Sequence, residues 1–343
     1  MIETYNSFKI IIVIASLCVV GGFAQTQGAE VLSNVNIEPQ EKWQTVFGGQ
    51  ECIYHFQVTS IESIEGYAGW SLRYANRTIA RGGCTFEAGP GKGSLIKIQI
   101  NVPSINEGVM IPAQLVVTLY QKGDKQVLAS WKETLRIFSK EAFAFKKEWL
   151  KGLKVGLFDP EKTTQDIFKD LEIPFLLQNN IDALSEFDGA LLVVGSGLDF
   201  AEYRSLWEEI LDLCTRKISV LVLTPSGGTV SVPGVKGVTL PKPVSMRFLE
   251  RSIIHELDKK LDADAWPPDG KVVFSSMMLK TTRAGLVGEF VPGDKGWPWF
   301  EANFADKGGK VVVCGFGIME QIEAGPTPRF LLAQLFEYLT KIN

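Results

Sequence analysis

The residues of this sequence that could bind a ligand follow its predicted buried strands. In an open parallel sheet, ligands collect at the carboxyl ends of the strands, so these positions are the first candidates. Glycines there let backbone N–H groups approach a ligand, and a following helix offers its N-terminus to an anion. The candidates are Asp159, Gly195, Ser196, Gly197, Ser226 and Gly227. Tight strand-to-helix turns that hold no ligand are the alternative interpretation of these residues.

Nucleophilic catalysis is not predicted, although Ser226 follows a predicted strand at the place where a hydrolase of similar topology keeps its nucleophile. The surrounding residues, Thr224 to Gly228, lack the first glycine of the GxSxG motif. A serine or cysteine nucleophile also needs a base, and the chain has two histidines, His55 and His255. One lies in the β-rich half and the other inside a predicted helix. The prediction is therefore that the chain has no catalytic residue.

Neither a metal site nor a cofactor is predicted. His255 and Glu256 begin like the HExxH zinc motif, but Lys259 occupies the position of the second histidine. The sequence also lacks the GxGxxG and P-loop patterns that bind nucleotides.

A carbohydrate-active hydrolase is the alternative function. Glycoside hydrolysis needs two carboxyl groups that converge in three dimensions, which one sequence does not reveal. The acidic candidates at strand ends are Asp159, Asp199 and Glu320. Solvated loop acids are the other interpretation of these residues.

Two tryptophans near prolines, Trp297 and Trp299, are the candidates for carbohydrate binding. An exposed aromatic ring has a flat apolar face that suits a sugar ring or a protein partner. Burial of both rings in the core of their own domain is the open alternative.

Composition restricts the class of partner. The chain has 343 residues, which suits two domains, and a formal net charge of -4. Nucleic acids require a concentrated basic surface, so a nucleic-acid partner is not predicted. A carbohydrate or a protein partner remains, and oligomerisation is possible.

The first 24 residues have the pattern of a secretory signal peptide. An apolar stretch from Ile10 to Ala24 follows Lys9 and ends in small residues, and it is shorter than the roughly 20 residues of a membrane span. Cleavage near Ala24 predicts a secreted or periplasmic protein with no stable membrane insertion afterwards. An uncleaved N-terminal anchor is the alternative.

Residues 30–139 alternate apolar and polar side chains in short runs broken by turn residues, which predicts a β-sandwich of immunoglobulin or fibronectin III type. Trp70 is its expected core tryptophan. Cys52 and Cys84 lie in this segment of an exported chain, so a disulfide between them is a candidate. Two buried thiols are the alternative.

A linker over residues 140–152 leads into a second predicted domain, residues 153–343, where short apolar strands alternate with helices. This pattern predicts a three-layer α/β fold with a mostly parallel sheet. The predicted strands are Lys154–Phe158, Pro174–Leu177, Gly189–Val194, Ile218–Leu223, Lys271–Phe274, Gly285–Val291 and Lys310–Cys314. The predicted helices are Thr163–Leu171, Phe200–Thr215, Ser245–Leu261 and Pro326–Ile342.

This second half resembles the class I glutamine amidotransferase-like, flavodoxin-like superfamily. It is most similar to the non-catalytic versions attached to bacterial glycosidases, such as the β-galactosidase middle domain. The segments that carry the resemblance are Leu153–Pro160, Phe187–Gly195, Ile218–Pro225, Lys310–Gly317 and Pro326–Leu339. The turn from Thr224 to Gly228 replaces the family's catalytic cysteine, and the His-x-Glu partner is absent where the chain has Gly317 to Glu320. The resemblance therefore implies the fold without glutaminase activity.

The sequence as a whole favours an exported, non-enzymatic binding or scaffold protein, a pseudoenzyme associated with carbohydrates. In the family that the second half resembles, such domains are thought to support assembly or carbohydrate recognition.

Overall fold

The computed structural model describes residues 34–232, 241–281, 288–289, 296–304 and 308–341. The predicted signal peptide, residues 1–24, lies outside the described residues, as does most of the predicted strand 285–291. Among the helices that the structure describes, none is long and apolar enough to cross a membrane.

The first part of the described chain is made of strands alone. One antiparallel sheet has the order β1-β3-β6, and the other has the order β2-β8-β7-β4-β5, in which β2 runs parallel to β8. The strands are β1 (Val35–Pro39), β2 (Thr45–Phe47), β3 (Glu51–Ser60), β4 (Ile64–Tyr74), β5 (Arg77–Ala88), β6 (Ser94–Asn101), β7 (Met110–Gln121) and β8 (Val127–Phe138).

The inward side chains of both sheets form one core, as the alternating pattern predicts. Phe56 on β3 and Leu115 on β7 are fully buried in it. Trp70 packs against this core but is only partly buried. The predicted core tryptophan therefore lies at the margin of the core.

Cys52 and Cys84 are free thiols, so the predicted disulfide between them is not formed. Cys52 lies on β3 of the three-stranded sheet, and Cys84 lies on β5 at the edge of the other sheet. Both are partly buried against the sandwich core. Burial, together with the charge of Glu51, raises the pKa of Cys52 to about 12. The thiol therefore stays protonated and is a poor nucleophile.

The second part of the described chain contains a mixed sheet with helices, so the coarse architecture is an all-β part followed by an α/β part. Within the described residues, seven strands form this sheet in the order β10-β9-β11-β12-β18-β17-β14. The first five are mutually parallel, and β17 is antiparallel to both of its neighbours. A smaller sheet has the order β13-β15-β16.

The strands of the second part are β9 (Val155–Phe158), β10 (Leu176–Leu177), β11 (Leu191–Val194), β12 (Ser219–Leu223), β13 (Thr229–Ser231), β14 (Ser245–Leu249), β15 (Met278–Lys280), β16 (Gly288–Glu289), β17 (Trp299–Asn303) and β18 (Lys310–Cys314). The helices are α1 (Lys147–Gly152), α2 (Gln165–Asp170), α3 (Leu206–Thr215), α4 (Ile253–Leu257) and α5 (Pro326–Thr340), and Asp182–Glu186 forms a 3-10 turn.

Several predicted elements of this part are wrong. The predicted helix Ser245–Leu261 begins as strand β14 and is helical only in α4, because β14 pairs with β17 at the sheet edge. The predicted strand Lys271–Phe274 is reduced to a single bridge between Val273 and Phe316. Strand β17 was not predicted.

The segment 140–152, the predicted linker, includes helix α1, and its residues Phe143 and Leu150 lie in the core of the second part.

A buried carboxylate joins the two parts. Asp262, before α5, accepts hydrogen bonds from the Thr45 backbone N–H at 2.9 Å and from the Thr45 hydroxyl at 2.7 Å. The Gln44 N–H donates to both of its carboxyl oxygens, at 3.0 and 3.1 Å. The Asp262 N–H in turn donates to the Thr327 hydroxyl on α5 at 3.0 Å. One side chain thus connects the start of β2 with the last helix.

Burial raises the pKa of Asp262, although the hydrogen bonds from Thr45 and Gln44 and the charge of Arg136 oppose the shift. Charge burial has a cost, and the donors around the carboxyl group offset it. The donors depend on the carboxyl group in turn, because Thr45 is itself buried and has no access to water.

Replacing Asp262 with Ala leaves the Thr45 and Gln44 donors without this acceptor. We expect the free energy of unfolding to fall by about 1–3 kcal/mol, the usual cost of buried donors left unsatisfied. Denaturant unfolding followed by tryptophan fluorescence measures the loss. Asp264→Ala is the control, because Asp264 is an exposed acid two residues away and its loss is expected to change stability by less than about 0.5 kcal/mol. Equal stabilities of the two variants would contradict the role of Asp262.

Candidate functional site

The carboxyl ends of β9, β11, β12 and β18 meet at one edge of the mixed sheet. Asp159 follows β9, Gly195 to Gly197 follow β11, Thr224 to Gly227 follow β12, and Glu320 lies in the turns after β18. The structure therefore brings the strand-end candidates predicted from the sequence to one place. Their contacts determine what this edge can do.

The side chain of Asp159 accepts hydrogen bonds from the backbone of the loop that follows it. Its side chain is buried, and Oδ2 accepts hydrogen bonds from the N–H groups of Thr164 at 2.9 Å and Gln165 at 2.7 Å. These N–H groups lie at the N-terminus of α2, where the helix itself supplies no acceptor, so the carboxylate caps the helix. The Thr163 hydroxyl lies 3.4 Å from Oδ1.

Gly195 makes room for this carboxylate. A Cβ atom at position 195 would lie 2.2 Å from Oδ1 of Asp159. The glycine is thus required by the neighbouring side chain, and its conformation is not of the left-handed type that favours glycine.

Ser196 is held from both sides. Its hydroxyl donates to Oε1 of Glu320 at 2.5 Å, and its N–H donates to the Thr164 hydroxyl at 2.9 Å. Its carbonyl oxygen accepts from the Thr163 hydroxyl at 2.6 Å. The serine is buried, so it links the β9 loop to the turns after β18.

Glu320 is an acid at this edge with a raised pKa. The residue as a whole is exposed, but its carboxyl group turns toward Ser196 and lies 3.5 Å from the Thr224 hydroxyl. Burial of the carboxyl group raises its pKa, while the hydrogen bonds and the charge of Lys271 oppose the shift. A carboxyl group of this kind is more readily protonated than an ordinary glutamate.

Ser226 lacks the contacts of a nucleophile. Its hydroxyl donates to the Gly197 carbonyl at 2.6 Å, which connects the turns after β11 and β12. Within the described residues, neither histidine is hydrogen-bonded to Ser226. His55 lies in the sandwich and its Nδ1 contacts Glu41 at 2.6 Å, whereas His255 is an exposed residue of α4.

Gly227 and Asp199 pair across the same two turns. They form an isolated parallel bridge, and a Cβ atom at position 227 would lie 2.8 Å from Oδ2 of Asp199. Oδ1 of Asp199 accepts a hydrogen bond from the Ala201 N–H at 2.8 Å. Asp199 is thus part of the turn geometry, as Asp159 is.

The two predicted carbohydrate-binding tryptophans do not form an exposed pair. Trp299 is fully buried on β17, so the prediction that it exposes a flat face is wrong. It packs between Phe316 and Tyr338. Trp297 is half-buried, with its ring centroid 6.3 Å from that of Phe248.

Three residues of this edge were missed by the sequence analysis. Thr163 and Thr164 complete the contacts of Asp159 and Ser196, and Lys271 approaches Glu320. The pair of threonines directly before a helix is a capping signal that could have identified the first two. Lys271 carried no such signal, because the loop that holds it reaches the site only through tertiary packing.

The edge does not resemble a metal centre. Over the described ranges, no three His, Cys, Asp or Glu side chains are grouped so as to hold a metal ion.

Neither the known family models nor the curated proteins match this sequence. Weak structural neighbours include glycosidases. Beta-glucuronidase 2 of Bacteroides uniformis, as a calcium-binding mutant, matches at 9% identity and a TM-score of 0.24, over 60% of this chain and 37% of that one. A family 123 glycoside hydrolase from Clostridium perfringens matches at 7% identity and a TM-score of 0.21, over 55% of this chain and 48% of that one.

The sporulation control protein Spo0M from Bacillus subtilis matches at 14% identity and a TM-score of 0.26, over 34% of this chain and 54% of that one. The chain thus spans about half or less of the length of these three proteins. With TM-scores this low, the likeness assigns neither a detailed fold nor an activity to this chain.

Replacing Gly195 with Ala tests whether the edge is packed as described. The new methyl group would collide with Oδ1 of Asp159, so we expect the free energy of unfolding to fall by about 1–3 kcal/mol, as is typical of overpacking. Gly152→Ala is the matched control, because a Cβ atom at position 152 meets nothing within 4 Å. Denaturant unfolding compares the two variants. A Gly195→Ala protein as stable as the Gly152→Ala protein would contradict this account of Asp159.

Proposed function

We propose that this chain is an exported, non-enzymatic binding protein associated with carbohydrates, in which a degenerate amidotransferase-like part is a rigid support. The observation that carries the proposal is the state of the sheet edge where ligands would collect. Asp159, Ser196 and Ser226 each use their side chains in hydrogen bonds within the chain. Groups that already hold the turns together are poorly suited to act on a substrate.

The same contacts support the proposed absence of catalysis. In the amidotransferase pattern a nucleophilic cysteine comes after a strand, whereas here the corresponding turn begins with Thr224, whose hydroxyl donates to the Phe316 carbonyl at 2.9 Å. Of the other cysteines that the structure describes, Cys214 and Cys314 are fully buried, and burial raises the pKa of each. Neither thiol is available as a nucleophile.

We also propose a specific fold for each part of the chain. An immunoglobulin-like sandwich followed by a flavodoxin-like sheet agrees with the two-sheet packing of the first part and the five parallel strands of the second. Export, to the outside or the periplasm, rests on the signal-peptide pattern of residues 1–24. The net charge of -4 favours a carbohydrate or protein partner over a nucleic acid.

A glycoside hydrolase is the second candidate, and Glu320 is the observation that favours it. A carboxyl group with a raised pKa is what a general acid requires. The second carboxyl group is the weakness of this candidate. Asp159 is committed to the first turn of α2, and Asp199 is committed to the turn after β11.

The deciding experiment measures binding and turnover together on the chain from Gln25 onward. A glycan array reports binding, and chromatography of the same glycans after incubation reports hydrolysis. We expect binding without turnover, and equal binding by Glu320→Gln, since Glu320 belongs to the support. Turnover that Glu320→Gln abolishes would replace the proposal with the hydrolase. An array without any bound glycan would refute the association with carbohydrates.

A further inference from the structure

Two tyrosines lie side by side on the outer face of the five-stranded sheet. Tyr67 on β4 pairs with Tyr120 on β7 and with Thr85 on β5. Tyr67 is 45% exposed, and Tyr120 is half-buried. Outer positions on a sandwich normally carry polar side chains, so a pair of aromatic rings there requires an explanation.

The sheet beneath these rings lacks side chains. Gly69 and Gly83 are paired with each other on β4 and β5, directly beside Tyr67. A Cβ atom at Gly83 would lie 2.1 Å from the hydroxyl oxygen of Tyr67 and 2.3 Å from its Cζ atom. A Cβ atom at Gly69 would lie 3.4 Å from Cε2 of Tyr120 and 3.5 Å from Cε1 of Tyr67. The Tyr67 ring therefore lies down over the backbone of Gly83, where any other residue would raise it.

We call Tyr67, Tyr120, Gly69 and Gly83 the tyrosine platform. In the part of the chain that the structure describes, no hydrogen bond occupies either tyrosine hydroxyl. The platform thus offers apolar ring surface together with two free donors. This combination suits a ligand that has both an apolar face and hydroxyl groups.

A cleft of about 750 Å³ adjoins the platform. Both tyrosines line it, and the hairpin between β7 and β8 forms another part of its wall. Its charged lining residues are Glu65, Glu87, Asp124, Lys122 and Lys125. Lys122 forms an ion pair with Glu65. Three acidic and two basic groups nearly cancel, so the cleft has no strong preference for a charged ligand.

We propose that the tyrosine platform and this cleft bind a neutral glycan. The inference rests on the proposed carbohydrate association and gives it a location, which is the sandwich and not the edge of the α/β sheet. A pyranose ring has an apolar face of C–H groups that packs on an aromatic ring. Its hydroxyl groups find acceptors in Glu87 and Thr85 beside the platform, which are both exposed.

The charges of the cleft argue against other ligands. A polyanion such as a nucleic acid or an acidic polysaccharide would meet three carboxylates against two lysines. A protein partner favours a broad apolar patch with few charges at its centre. Here the two rings stand among exposed charged and hydroxyl side chains, which are the acceptors and donors that sugar hydroxyls need.

Native gel electrophoresis in gels that contain a neutral polysaccharide tests the inference. The probes are barley β-glucan, xylan, galactomannan and starch, with alginate as the acidic probe. We expect at least one neutral polysaccharide to retard the chain from Gln25 onward, and alginate to have no effect. Tyr67→Ala and Tyr120→Ala should each weaken the retardation about tenfold or more, the usual effect of removing an aromatic anchor.

Tyr74→Ala is the matched control, because Tyr74 is also on β4 and is also 45% exposed, yet it lies at the far end of the strand. It should bind as the original chain does. Thr85→Arg is a second test that removes no ring. Thr85 is exposed and faces Tyr67, so a long side chain there should block the cleft without disturbing the fold. Thermal unfolding confirms that each variant is folded.

The outcomes distinguish a failure of this inference from a failure of the proposed function. Binding that survives Tyr67→Ala and Thr85→Arg would overturn the platform and leave the carbohydrate association intact. Retardation by alginate alone would overturn the neutral glycan. A chain that binds no glycan in the gels or on the array would overturn both proposals together.

Discussion

The contact between Asp262, Thr45 and Thr327 is the constraint on which the arrangement of the described chain depends. It places a carboxyl group away from water, where it is tolerable only while the donors of the β2 segment surround it. Because those donors come from positions 217 and 218 residues earlier in the sequence, the carboxyl group in one part is hydrogen-bonded to the backbone of the other. Arg329 extends the contact, since its guanidinium donates to the Lys140 carbonyl and lies 5.3 Å from the Phe47 ring centroid.

The loops at the edge of the mixed sheet are also joined by side-chain hydrogen bonds. The carboxyl ends of the parallel strands in the α/β part meet at one edge, and the loops at that edge are hydrogen-bonded to one another. The hydroxyl groups of Thr163, Ser196 and Thr224 connect the segments that follow β9, β11, β12 and β18. These hydrogen bonds stabilise the turns. The hydroxyl groups at this edge are therefore already used in hydrogen bonds within the chain.

The sequence predicted the features that depend on local pattern. Alternation predicted the sandwich strands, and short apolar runs predicted β9, β11, β12 and β18, because these strands are buried on both faces. Strand β17 was missed because Glu301 interrupts it. Burial alone would raise the pKa of Glu301, but hydrogen bonding by Tyr338 and the charges of Lys310 and Arg247 outweigh that and lower it. The groups that compensate the burial of Glu301 are distant from it in the sequence. The burial of Trp299, and the pairing that makes β14 a strand and not a helix, also depend on residues distant in the sequence.

Because the Tyr67 ring packs closely against Gly83, the residues that can occur at these two positions depend on each other. Gly83 has no unusual backbone angle, so a larger residue there is opposed by its surroundings, which are the Tyr67 ring and the Ala68 carbonyl oxygen. A smaller residue at position 67 would remove the collision with the ring, and a larger residue at position 83 would displace the ring. Positions 67 and 83 are therefore expected to vary together among homologous proteins. A homologue in which only one of them has changed is expected to lack the flat packing of the ring on the sheet.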